Sequence, residues 1–339
     1  MINFNDIGSW HFVSELDVLE VTAAANVAVS ITASDGSVLL NGTYIPVGGT
    51  VRVYHLRKLL SPLIMEVTAT FTITVSGVSK TVHVVQSQVA VSEAAADFLP
   101  SFFLSTVMSE RDTAVGRKEL LTMLPIEATL PTVQAVCSYW NGSAVVTAGK
   151  TVATTGMTAN TPFEIDVSAA QFVDTTLGTL VGYTVTCGER RMAYRVRQLP
   201  TAEVAMLMRN AFGAWEAVYF AGMTEQSPEY TRETALVNGR LRLYNLEETD
   251  TRKCYTGSLR PSGVTLTRDL ARSRDVVLLE RGVASDEVVV TAVDVKHTSA
   301  DNDIADMTVT WRRSSLLSAR LVPVRTPKLF DETFDETYN

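Results

Sequence analysis

Histidine and cysteine are scarce in this chain, and their placement excludes the commonest metal chemistries. His11, His55, His83 and His297 are the four histidines. None has a second histidine or cysteine three to five residues away, the spacing that puts two ligands on one helix face. His83, alone in "TVHVVQ", reads as an exposed or hydrogen-bonded strand residue. Cys137, Cys187 and Cys254 are far apart with no C-x-x-C pair, which argues against both a disulfide framework and a zinc clip. They read as small buried hydrophobes in a chain that folds in a reducing cytoplasm.

Catalytic signatures are missing as well. There is no G-x-S-x-G, no G-x-x-x-x-G-K-[ST] and no G-x-G-x-x-G, so the hydrolase elbow, the phosphate loop and the dinucleotide fingerprint are absent. No catalytic or cofactor-binding residue is nominated, and the expectation is a protein that is not an enzyme, although triads and carboxylate pairs need not be close in sequence. "SADNDIADM" gathers Asp301, Asp303 and Asp306 but lacks the glycine and closing glutamate of a calcium loop, so it reads as a solvated hairpin loop and no metal is assigned.

Long apolar runs are lacking too. The most apolar stretch, "AAADFLPSFFLSTVMSE", is broken by Asp97 and Pro100 and falls short of the roughly 20 residues a bilayer requires. The opening "MINFNDIGSWHFVSELDVLE" carries Asp6, Glu15 and Asp17 and no basic region, so no secretory signal is expected. Lys and Arg total 29 against 37 Asp and Glu, a net charge of −8. That balance argues against nucleic acid as a partner. The sequons at Asn41 and Asn141 read only as Asn-Gly turns.

What is present is β-chemistry. At 339 residues with 46% hydrophobic and 19% charged side chains, the chain is globular and long enough for two or three domains. From about Ile2 to residue 91, runs such as "VAVSITA", "TVRVYHL" and "MEVTATFTITVSG" alternate apolar with polar, with turn signals "SDGS", "VGGT" and "SGVSK" between them. This is the spacing of a β-sandwich. "YHLRKLLSPLI" interrupts it with leucines at helical spacing, limited to a turn or two by Pro62. Residues 92–199 open with "SEAAADFLPSFFLS", whose Phe98, Phe102 and Phe103 read as packing at a core or domain junction. Strands "TVQAVCSYW", "PFEIDVS", "LVGYTVTCG" and "RMAYRVRQL" then suggest a second sandwich.

From Pro200 the reading is a helix "AEVAMLMRN" capped by Thr201 and stopped by Asn210 and Gly213. A strand follows, with Trp215, Ala217 and Tyr219 on one face and Glu216, Val218 and Phe220 on the other. Later strands and a helix "TLTRDLARS" complete an α+β unit over 200–325 with a mostly antiparallel sheet. The predicted fold is therefore mainly β: two tandem immunoglobulin-like sandwiches, an α+β unit, and a tail over 326–339. Arg191, Arg195 and Arg197 share one strand face, and Arg240 and Arg242 are similarly spaced. Such stripes face water or meet an acidic neighbour. The tail "FDETFDETYN" offers one, with Phe330, Phe334 and Tyr338 aligned at a period of four for docking on another subunit.

"VRVYHLRKLL", "DFLPSFFLST", "RNAFGAWEAVYFAG", "YTGSLRPSGVTLTRDLARSRDVVLLE" and "DMTVTWRRS" together resemble structural proteins of prophages and tailed phages of Bacteroidetes-type hosts. The last three stretches are similar to the C-terminal part of distal-tail or baseplate-hub components. The resemblance implies a virion subunit made in the cytoplasm, which assembles with itself and with other tail or baseplate subunits. It also implies that Gly213 permits a sharp change of direction while Trp215 and Tyr219 fill the core, leaving Glu216 at a solvent or subunit boundary. The alternative from the residues is a carbohydrate- or cell-surface-binding protein with Trp10, Tyr139 and Trp140 lining a glycan groove.

Overall fold

Strict alternation sets the first layer. In "VAVSITA" Val27, Val29 and Ile31 are buried while Ala28 is exposed, as period-two geometry on a half-buried sheet requires. The structure is a computed structural model describing residues 2–108, 110–127, 129–199, 204–257, 259, 261–280, 282–296 and 306–315. The chain is mostly β.

The first eight strands are β1 (Ile2–Asn3), β2 (Trp10–Phe12), β3 (Val18–Thr22), β4 (Val27–Ala33), β5 (Val38–Tyr44), β6 (Thr50–Tyr54), β7 (Thr68–Val75) and β8 (Val78–Val85). They form two sheets, β2-β8-β7-β4-β5 and β1-β3-β6. Val29, Ile31, Phe71 and Ile73 from one meet Leu19, Val21, Val51 and Val53 from the other in a common core. The short helix α1 (Leu56–Leu60) adds Leu56 and Leu60 to it. Asn41 is not in a turn. It lies inside β5 opposite Ser30, because the chain already reverses at Asp35–Ser37, where the Asp35 carboxylate accepts from the Ser37 backbone and hydroxyl.

Helix α2 (Ala95–Ser101) leads into β9 (Glu110–Thr113), β10 (Leu120–Met123), β11 (Val133–Trp140), β12 (Val145–Thr151), β13 (Phe163–Asp166), β14 (Thr179–Cys187) and β15 (Arg190–Val196). A five-stranded sheet β12-β11-β14-β15-β9 and the pair β10-β13 enclose a second core. Tyr139, Tyr183 and Tyr194 lie within it. The Tyr139 and Tyr183 hydroxyls donate to the carbonyls of Phe172 and Val167, which offsets the cost of burying them.

The remaining elements are β16 (Val204–Arg209), β17 (Trp215–Phe220), β18 (Thr224–Val237), β19 (Arg240–Tyr255), α3 (Pro261–Arg272), β20 (Val276–Glu280), β21 (Val283–Lys296) and β22 (Asp306–Arg313). They build one antiparallel sheet, β17-β16-β20-β21-β22-β19-β18. Leu270 of α3 packs into a third core with Met206, Met208, Phe220 and Trp311.

The expected helix at "AEVAMLMRN" is a strand. β16 pairs with β17 on one side and β20 on the other. Met206 and Met208 face the third core while Leu207 faces a separate cluster on the opposite side of the sheet. A strand buried on both faces shows no alternation, and helix-favouring Ala, Met and Leu are overridden by tertiary pairing. The capping residue Thr201 lies outside the described residues. Asn210 and Gly213 do not end a helix but shape the β16–β17 turn.

That turn locks the molecule. Asn210 is buried, its side-chain amide donating to the Leu104 carbonyl at 2.8 Å and its Oδ1 accepting from the amides of Phe212 and Ala214. Gly213 has φ +77°, and a Cβ there would sit 2.2 Å from the Glu66 carbonyl oxygen. Only glycine fits both the backbone angle and the approach. Phe212, 1% exposed, thereby reaches Phe12 of β2 and Phe98 of α2, with ring centroids 5.7 and 5.6 Å away. Trp10, Leu99, Leu104 and Leu124 belong to the same cluster, so all three parts of the chain contribute to it.

Trp215 and Tyr219 do not fill the main core. Both are half-buried against the smaller cluster on the other sheet face. Trp215 lies under the Arg209 guanidinium at 4.5 Å, and Tyr219 directs its hydroxyl to the Lys118 carbonyl at 3.0 Å. Replacing Phe212 with Ala should lower stability by about 3–5 kcal/mol, the usual cost of emptying a buried aromatic site. Trp215→Ala should cost clearly less. Urea denaturation of both variants checks this, and an equal or larger loss for Trp215→Ala would refute the assignment of weight to the turn.

Candidate functional site: a buried ion cluster and an exposed arm

Charged residues alternate along β9, and the strand geometry separates their fates. Glu110 and Asp112 face outward toward the parallel neighbour β15, where Glu110 pairs with Arg195 and Asp112 with Arg197. The acidic neighbour for this arginine stripe is therefore supplied by β9 of the same chain. The side chains are more than a third exposed apart from Asp112, so each pair contributes at most about 1 kcal/mol. Arg191 is exposed at the start of β15.

Arg111, between those two acids, points inward and is 3% exposed. Its Nη2 donates to Glu216 Oε1 and to Ser105 Oγ, the latter at 2.5 Å, and its Nη1 lies 3.9 Å from Glu119 Oε2. Glu216 is buried in β17 rather than placed at a boundary. The reason is that the Arg111 guanidinium of β9 lies against it and is itself buried. Glu119 accepts from the Thr113 hydroxyl at 2.8 Å, and its own amide donates to Ser168 Oγ at 3.0 Å. Burial opposes charge on Arg111, but Glu216, followed by Tyr194 and Glu119, holds the guanidinium above its ordinary range. For Glu119 burial dominates, pushing the carboxyl up to about 7 against the pull of Arg111 and Thr113. Two carboxyls share one arginine, and burial brings Glu119 to half-protonation near neutral pH.

This cluster borders a cavity of about 380 Å³ between β9, β17 and the N-terminal half of α3. Arg117 stacks over Tyr219 at 4.6 Å on its wall. A second buried arginine, Arg190, joins the helix to the second sheet. It pairs with Glu127 at 2.6 Å and donates to the carbonyls of Leu99 and Leu124. Neither Arg111 nor Arg190 was marked in the sequence, since a charged residue in a strand shows its side only through its neighbours' partners. The cluster acts as a polar weld between sheets.

The other distinctive surface is the β18–β19 hairpin. It is paired from Thr224↔Cys254 to Val237↔Arg240 around a tight Asn238-Gly239 turn with positive φ at both residues. Among the described residues, only Arg252–Tyr255 of β19 meets a third strand, β22. Beyond that the hairpin extends roughly 40 Å as a two-stranded ribbon. Tyr230, Leu236, Leu241, Leu243, Tyr244 and Leu246 are all at least half exposed on it. Arg240 and Arg242 flank the tip, exposed.

The residues expected to line a glycan groove are not brought together. Tyr139 is buried in the second core, Trp10 is 9% exposed and stacked on His83 at 4.7 Å, and Trp140 alone is exposed. Their alternation explains this, because Tyr139 and Trp140 are consecutive on β11 and face opposite ways. His83 also hydrogen-bonds Thr70 at 3.0 Å. The three cysteines are free and buried. Asp306 opens β22 opposite Lys296, whereas Asp301, Asp303, Phe330, Phe334 and Tyr338 lie outside the described residues. Among the described residues no cluster of three His, Cys, Asp or Glu side chains is suited to a metal, and no helix is long and apolar enough to cross a membrane.

Comparison of the sequence with protein families gives no match, and comparison with curated proteins gives none. Solved structures do align. A chain of the virion of a native gene transfer agent particle is similar over 31% of this chain and 88% of its own, at 11% identity and a TM-score of 0.21. A chain of the six-fold symmetrised anti-feeding prophage baseplate matches over 38% of this chain and 99% of its own, at 12% identity and a TM-score of 0.24. A chicken T-cell receptor structure matches over 61% and 87%, at 10% identity and a TM-score of 0.15.

The ion cluster makes stability depend on pH. The folded Glu119 carboxyl keeps its proton to about pH 7, while the unfolded one releases it near 4.5. The folded state therefore binds more protons between those values, and stability falls as pH rises through the window, by at most about 3 kcal/mol. Urea midpoints across this range should decline for the parent and flatten for Glu119→Gln. A midpoint that rises through the window in the parent but not in the variant would contradict the assignment.

Proposed function

We propose that this chain is a non-enzymatic structural subunit of a phage-like tail or baseplate, of the kind carried by prophages of Bacteroidetes-type hosts. It acts by assembling with further copies of itself and with neighbouring tail subunits. The observation that carries this reading is the β18–β19 arm. An isolated two-stranded hairpin is marginal in water, yet this one is long and lined with exposed leucine and tyrosine. Contiguous exposed apolar surface of this kind marks a protein contact.

An arm that docks on a different part of the next copy makes a heterologous contact, and a heterologous contact whose rotation closes gives a ring. Leu236 and Leu241 pair directly across the hairpin and Leu243 follows on the same face. They supply an apolar edge that a neighbouring sheet can cover. The buried clusters serve this role by stiffening the base from which the arm projects. The resemblance of the sequence stretches to distal-tail and baseplate-hub components agrees with it, and the virion is then the place where the protein acts.

Replacing residues 229–249 with a short turn should leave the melting temperature nearly unchanged, because those residues add little to the three cores. It should abolish assembly. Light scattering across a concentration series, alone and with the adjacent tail proteins, measures this alongside electron microscopy. Rings that form as readily without the arm would overturn the proposal.

A further inference from the structure

The three parts of the chain leave a groove where they meet. Its volume is about 430 Å³. The floor is aromatic: Phe98 and Phe212 are buried beneath it, Phe102 is half-buried, and Met108 is 42% exposed on its wall. Arg268 and Arg272 form the rim, four residues apart on α3 and both exposed. Two acids also border the groove. Glu93 is exposed on the opposite side, and Asp269 is buried, its carboxylate accepting from the Thr106 hydroxyl at 2.6 Å and the Ala211 amide at 3.4 Å. Asp269 is thus engaged inward, with Arg272 only loosely beside it at 3.9 Å. The α3 side of the rim is cationic, the Glu93 side acidic, and the floor apolar.

One segment of this chain has the complementary pattern. Residues 330–338, "FDETFDETY", place Phe330 and Phe334 four apart, with Asp331 and Asp335 at the same interval and Glu332 and Glu336 beside them. A four-residue interval is about 6 Å along a helix, which is also the spacing of Arg268 and Arg272. Reach is sufficient. β22 packs against α3, and the fifteen residues from Ser315 to Phe330 span up to about 50 Å.

We propose that residues 330–338 dock in this groove of their own chain, with Phe330 and Phe334 on the Phe98, Phe102 and Phe212 floor and Asp331 and Asp335 paired to Arg268 and Arg272. The docked segment acts as a strap across the junction of the three cores. It covers apolar surface that is otherwise open, and its tether raises its local concentration, so modest intrinsic affinity suffices. This inference does not depend on assembly and survives or fails apart from it.

A fluorescein-labelled peptide of residues 326–339, added to a chain ending at Arg325, tests it by fluorescence anisotropy. Saturable binding is expected, weakened by salt. The full chain should bind the peptide about tenfold more weakly or worse, because the tethered segment already fills the groove. R268E/R272E in the shortened chain should abolish binding while circular dichroism melting is retained. If that variant does not fold, a peptide carrying F330A/F334A, tested on the unaltered shortened chain, decides the matter by failing to bind. No saturable binding, equal affinity for the full and shortened chains, or full affinity of the F330A/F334A peptide would overturn the proposal. So would dimerisation of the full chain that requires residues 326–339, since the groove would then belong to a second copy.

Discussion

The packing of Phe212 against both Phe12 and Phe98 is the contact on which the rest of the structure depends. It is possible only because Gly213 turns the chain against the Glu66 carbonyl, where any side chain would collide. Asn210 secures the same turn from within by satisfying three backbone groups that would otherwise be buried unpaired. Aromatic packing supplies the free energy, and the polar network fixes its direction. The three cores are thereby held in one arrangement, and the arm on β18–β19 projects from a defined base.

A second tie works by different physics. Arg111, Glu119 and Glu216 bring one cation and two carboxyls out of water between the second and third cores. Such a cluster contributes less to net stability than an apolar contact of equal size, yet it is costly to break once formed. Its value is geometric: a guanidinium in a fixed fork accepts only one placement of β17 over β9. Apolar contact at the turn and charge pairing at the strand thus constrain different degrees of freedom. Together they fix the third sheet relative to the other two cores.

Much of the β architecture was legible because half-buried strands write their orientation into the sequence, as β4 and β11 do. β16 was not, since Met206, Leu207 and Met208 are covered on both faces and carry no period. The extent of the arm was hidden for the opposite reason. "EQSPEYTRET" is exposed on both faces and shows no apolar stripe, so only its inner and outer ends looked like strands. Trp215 was misjudged because a tryptophan at a half-buried position can be covered by the Arg209 guanidinium instead of by core side chains. The role of Glu216 could not be read at all, since its partner Arg111 is 105 residues away.

The central claim is that the Phe212 turn makes the three cores one mechanical body, and amide hydrogen exchange on the unaltered protein tests it most directly. The account predicts that β2, α2 and the β16–β17 turn open together, with one common free energy close to that of global unfolding. Exchange of α2 and the turn at markedly lower and mutually different free energies, while the first and third cores stay protected, would contradict it.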